Sequence, residues 1–116
     1  MAGKITIYDK DVLNYSSGFF ETIYNEMEDV IYENQITITP EISNFMNIMQ
    51  VHSKGAFPYF NIEKYIKSHE GVVILLNILE EVIHRLDQEG QIYKSLITAL
   101  WGFYKELMAY GDELKK

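Results

Sequence analysis

Glu81 and His84, three positions apart, are this chain's best approach to a chemical motif. On one helix face, a Glu-x-x-His pair supplies two inward ligands in di-iron helical bundles, which need a second matching pair and further carboxylates. This chain has a single such spacing. Glu81 also falls about 200° around a helix from Leu79, off the apolar seam described below, so the pair reads as solvated helix surface. The remaining histidines, His52 and His69, are separate in sequence. Cysteine is absent, and Ser16, Ser17, Ser43, Ser53, Ser68 and Ser95 stand in no context that would sharpen a nucleophile. There is no Gly-rich phosphate loop and no paired-His metalloprotease run. The residues predict no enzyme, no metal site and no cofactor.

The elements that carry these residues are predicted to be helices, in an all-α fold. Ile62, Tyr65, His69, Val72, Leu76, Leu79, Ile83, Leu86, Gly90, Tyr93, Ile97, Leu100, Tyr104 and Leu107 follow one another at gaps of three and four. That rhythm places one side of a helix, or of two helices in series, against a partner helix. An unbroken helix here would run about 70 Å at 1.5 Å per residue. Gly90 is the expected hinge, with Glu70-Gly71 a second candidate break. Upstream, Leu13, Ser16, Phe20, Ile23, Met27 and Val30 share a helical face, and a helix is expected to start at Asp9 or Asp11. Thr39-Pro40-Glu41 is a helix entrance, with Thr as cap, Pro in the first turn and an acid at the positive end. The apolar face of that helix runs through Ile42, Phe45, Met46 and Met49, and Pro58 marks the next boundary.

The expected architecture is a single helical domain over residues 1–116, an elongated helical hairpin or small bundle. Its helices span residues 10–34, 40–52, 60–89 and 91–110, the last two continuous or hinged. Residues 4–8 and 36–39 look β-like and serve as connectors or a minor pair. Gly111 is expected to help end the final helix.

Composition narrows the partners. The 116 residues suffice for one core, and 47% are hydrophobic, which excludes an acidic disordered tail. Seventeen acids against ten bases give a net charge of -7, so no compensating surface for nucleic acid is expected. The apolar run at 72–79 is too short to cross a bilayer, and residues 1–8 lack a secretory signal's apolar run, so a cytoplasmic protein without stable membrane insertion is expected. Nine Tyr and six Phe serve either as core filling or as an exposed strip for a partner. His69, which interrupts the seam, is a buried structural histidine, a register-setting residue or part of a partner surface. Trp101, with Tyr104 beside it, anchors an interface or caps the core.

Lys54-Gly55-Ala56, Asn61-Ile62-Glu63-Lys64-Tyr65-Ile66 and His69 resemble part of an LXG-type helical domain of bacterial type VII secretion systems. By that resemblance Gly55 occupies a turn, and Ile62, Tyr65 and His69 lie on the helix that follows. Such domains are similar to the WXG100 group of elongated helical hairpins, and target toxins for secretion in complex with small helical partners. The resemblance implies a helical adaptor or targeting chaperone that binds a toxin's N-terminal helical domain, staying in the cytoplasm or co-secreted with it. The chain has Ser53-Lys54-Gly55 in place of Leu-x-Gly and no C-terminal Tyr-x-x-x-Asp/Glu signal, which the partner would supply. The binding set is then Gly55, Ile62, Tyr65, His69, Trp101 and Tyr104. An immunity protein that occludes a cognate toxin is the alternative, and a homodimer is a third reading.

Overall fold

The computed structural model describes residues 2–53 and 59–116. The chain opens with a β-hairpin, β1 (Ala2–Ile7) and β2 (Lys10–Ser16), and passes directly into α1 (Ser17–Glu33). Next come α2 (Pro40–Ser53), a short strand β3 (Tyr59–Asn61) and one turn of helix, α3 (Ile62–Tyr65). The chain closes with α4 (His69–Asp87), a 3₁₀ turn (Gly90–Tyr93) and α5 (Lys94–Leu114). The architecture is mixed α/β, with a three-stranded sheet of order β2-β1-β3 and five α-helices among the described residues. This corrects the all-α expectation and, with it, the helical-hairpin fold implied by the type VII resemblance.

The hairpin turns on Tyr8 and Asp9, at φ 49° and 67°. Positive φ at both central residues makes this a type I′ turn, whose twist matches that of the flanking strands. The turn fixes Ile7 opposite Lys10, and the register slips between Ile5 and Thr6, leaving Val12 as the extra residue of a β-bulge. Ile5, Ile7 and Leu13 point into the core. Residues 10–16 are therefore strand, where a helix was expected. Their Leu13 and Ser16 happen to continue the spacing of the true helical stripe, Phe20, Ile23, Met27 and Val30.

β1 does not pair with residues 36–39, which are irregular. It pairs in parallel with β3, Ile5 opposite Phe60 and Thr6 opposite Asn61. Thr6 is fully buried, and its Oγ1 accepts a 3.0 Å hydrogen bond from Asn61 Nδ2. Phe60 sits between Phe20 of α1 and Phe45 of α2, with ring centroids 6.1 and 6.3 Å away. The strand thus joins sheet and helices into one core. Pro40 begins α2, and the Ile42 N–H donates to Thr39 Oγ1 at 3.3 Å.

The long seam divides at two places. Ser68 caps α4 by accepting from the Gly71 N–H at 2.9 Å, and Glu41 of α2 accepts from both the Lys67 N–H and the Ser68 hydroxyl at 2.7 Å. A carboxylate at this helix start also meets the positive end of the helix dipole. The break therefore lies before His69, and Gly71 is inside the first turn of α4. Gly90, at φ 86°, is the left-handed residue after α4. From there α5 folds back along α4, so that His69 meets Gly111 and Glu80 meets Tyr104. Residues 60–89 are not one helix, and α4 and α5 are not continuous. The longest dimension is 39 Å, against the extended rod the seam suggested. Preserved spacing across Gly90 reflects one core reached from two antiparallel helices.

Candidate functional site

α5 buries Leu96, Leu100, Phe103, Leu107 and Tyr110 against α4 and β2. One flank, at the spacing 97, 101, 104, 108, carries exposed Trp101 and Met108 beside Ile97 and Tyr104, which are half-buried against the core. Trp101 is 39% exposed and Met108 46% exposed. The Trp101 and Tyr104 rings meet edge to face at 5.2 Å. The Tyr104 hydroxyl donates to Glu80 Oε2 of α4 at 3.4 Å, and burial, followed by Glu80, pushes this phenol up from its ordinary range. Glu80 shares a helical face with Leu76 and Val73, the latter 39% exposed. Exposed Val73, Trp101 and Met108, with half-buried Leu76, Ile97 and Tyr104, form an apolar ridge along the α4–α5 pair that Glu80 interrupts.

The sequence-derived binding set is partly assembled. Trp101 and Tyr104 are neighbours on the ridge. Ile62 is wholly buried and unavailable to a partner. Tyr65 is half-buried, its ring 6.3 Å from that of Phe45. His69 is also half-buried, and its Nδ1 lies 3.0 Å from the Gly111 carbonyl oxygen. A carbonyl can only accept, so this bond puts the proton on Nδ1 and makes His69 a tie between α4 and α5. Gly111 lies one turn past Met108 on α5 and His69 one turn before Val73 on α4, so His69 sits at the end of the ridge, about 15 Å along α5 from Trp101. Gly55 lies outside the described residues.

A cleft of ≈ 260 Å³ opens on the other flank of α5, lined by Ile7, Tyr8, Lys10, Glu106, Ala109, Tyr110 and Glu113. Tyr8 projects from the hairpin turn, 61% exposed, and meets the Tyr110 ring edge to face at 5.6 Å. A bulky residue at positive φ is strained, and here the Tyr8 N–H is held by Glu63 Oε1 at 3.0 Å. The buried Tyr110 hydroxyl donates to the Ile66 carbonyl at 2.6 Å. Burial, with Tyr8, Glu63 and Glu41 adding to it, pushes Tyr110 up to about 12. Lys10 Nζ pairs with Glu106 Oε1 at 3.0 Å. The sequence hid this site because Lys10 and Glu106 are 96 positions apart. Its one local signal was the exposed Tyr8-Asp9 step between alternating apolar residues.

A third feature gathers acids from two helices. Asp29 and Glu33 of α1 and Glu89, just past α4, lie near Glu26 of α1, as does Arg85 of α4, whose Nη1 is 3.0 Å from Glu33 Oε2. Burial first, then Asp29, pushes the Glu26 carboxyl up, while Arg85 pulls it down. Glu81 adds to the field at Arg85, and His84 points outward. Among the described residues, no group of three or more His, Asp or Glu is arranged to hold a metal ion, and no helix is long and apolar enough to cross a membrane. No family model, no curated protein and no solved structure matches this chain.

Proposed function

We propose that this chain is a non-catalytic protein-binding module that docks a helical partner on the α4–α5 ridge, acting as an adaptor or targeting chaperone for a toxin's N-terminal helical domain. The observation that carries this reading is the apolar ridge of Val73, Leu76, Ile97, Trp101, Tyr104 and Met108. Two antiparallel helices with apolar side chains along their shared groove offer the surface that a third helix packs into. Trp101, edge-on to Tyr104, is the natural anchor, since aromatic residues dominate binding energy at such surfaces. In this reading the protein works in the cytoplasm and leaves it with its cargo if at all.

The immunity reading draws on a different observation, the carboxylates Asp29, Glu33 and Glu89 gathered near Glu26. That patch would steer a basic toxin domain onto the α1–α4 side.

A photo-crosslinking residue placed at Trp101, with Tyr32 as a remote exposed control, separates the two. The adaptor reading expects a crosslink from position 101 to a non-catalytic helical domain, and none from position 32. With that domain purified, Trp101→Ala should weaken binding by about 2 kcal/mol or more, roughly 30-fold. Unchanged affinity in a folded Trp101→Ala protein would overturn the ridge as the docking site. Recovery of a catalytic toxin domain whose activity is suppressed, with affinity lost in Glu33→Gln, would establish the immunity reading instead.

A further inference from the structure

We infer that the cleft between the hairpin turn and α5 receives an arginine side chain of a basic partner protein, an inference that rests on the reading of this chain as a protein binder. The size of the cleft argues for a side chain. At ≈ 260 Å³ it is smaller than the range of about 300–1,000 Å³ typical of pockets for whole small molecules.

Its chemistry argues for a cation. Glu106 already holds one ammonium, that of Lys10, at 3.0 Å. Glu113, seven residues further along the same face of α5, forms no ion pair among the described residues. Glu113 and Asp112 also stand in the last turn of α5, which holds no basic residue, Lys115 and Lys116 lying past it. Carboxylates there face the negative end of the helix dipole, an arrangement that a bound cation relieves.

The aromatic wall argues for guanidinium over ammonium. The exposed Tyr8 ring lines the cleft, and an aromatic ring offers a π face to a cation. A planar guanidinium stacks on such a face while its fork reaches a carboxylate, and a compact ammonium cannot do both. The Lys10–Glu106 pair is exposed on both sides, so it yields readily to a competing cation. The chain's charge of -7 supports a basic partner overall.

The test is an NMR titration of the full chain with N-acetylarginine methylamide, using its neutral citrulline analogue as control. The arginine probe is expected to shift the Tyr8, Ala109, Tyr110 and Glu113 amides saturably, and the citrulline analogue to leave them in place. Glu113→Gln should weaken the probe by about fivefold. Tyr8→Asn should do likewise, since Asn tolerates the positive φ of the turn while removing the ring. Lys10→Met, which frees Glu106, should tighten it. No saturable shift, an equal response to the citrulline analogue, or undiminished binding in Glu113→Gln overturns the inference. The ridge reading is separately exposed to Trp101→Ala, so a silent cleft beside a Trp101-dependent complex sinks this inference alone.

Discussion

Gly111→Ala tests the closest approach of α4 and α5. A Cβ added at Gly111 would lie 2.6 Å from Val72 Cγ1 and 3.2 Å from Val72 Cβ. Carbon atoms pack best about 3.5–4.0 Å apart, so the nearer contact overlaps by roughly 1 Å. Val72 is buried and β-branched, and in a helix its side chain holds one rotamer, so relief must come from moving one helix off the other. Overpacking of this kind costs about 1–3 kcal/mol, and the better helix propensity of Ala returns about 1. With two atoms crowded, the net loss should be about 1–2 kcal/mol, some 4–8 °C in Tm. Val72→Ala alone removes two methyl groups and leaves a cavity, a cost of about 2–3 kcal/mol. In the double variant the new Cβ enters the space vacated by Val72 Cγ1. The double variant should therefore be more stable than Val72→Ala alone, with a favourable coupling of about 2 kcal/mol. Urea unfolding followed by circular dichroism, with constant m-values, measures all four corners of the cycle. Additivity within about 0.5 kcal/mol, or a Gly111→Ala protein at least as stable as the parent, would refute the packing argument.

Tyr110→Phe removes the donor to the Ile66 carbonyl, leaving that buried acceptor unpaired at a cost of about 1–2 kcal/mol at neutral pH. The folded-state pKa of Tyr110 is raised to about 12 from 10.0, so its contribution is complete below 10.0 and is lost as pH climbs through about 12. Denaturation midpoints across that alkaline window should fall less steeply in Tyr110→Phe than in the parent, and parallel curves would refute the assignment. Glu26 is also raised, so the fold favours its protonated form, and its ionisation near neutrality works against stability. Glu26→Gln should therefore stabilise the protein at pH 7, with the gain disappearing in acid once Glu26 itself is protonated; a pH series of urea midpoints reads both.

What the sequence could and could not display follows from the range of each signal. The stripe Phe20, Ile23, Met27 and Val30 is local, and it reports a buried helical face directly. β2 carries an equally valid helical spacing at Leu13 and Ser16, and α1 follows it directly, with only the short Ser16-Ser17-Gly18 run at the junction. The evidence that decides for strand is the turn at Tyr8-Asp9, where a bulky Tyr occupies a position that ordinarily signals itself with Asn or Gly. β3 is three residues long and owes its existence to a parallel partner 55 positions upstream, so no local pattern marks it. The ridge was legible as Trp101 and Tyr104, neighbours on one helix. Their α4 counterparts Val73 and Leu76 were hidden inside the same apolar seam, because exposure depends on which side of that seam the third layer covers.

The two exposed features of α5 divide its circumference. At 100° per residue, positions 97, 101, 104 and 108 cluster about one direction, and positions 106, 109, 110 and 113 about another, roughly 160° away. The ridge faces the α4 side and the cleft faces the hairpin, so a single flat surface cannot cover both. A partner that uses both must wrap around the end of α5, with its helix on the ridge and its arginine reached around by an extended segment. In such a complex Trp101→Ala and Glu113→Gln act on separate contacts, and their losses in binding free energy should add. Linking the two contacts by one chain also makes the second an intramolecular event, so a weak arginine contact gains from effective concentration without being strong by itself. The modest cleft and the larger apolar ridge are then complementary in role, one supplying orientation and charge selection, the other most of the affinity.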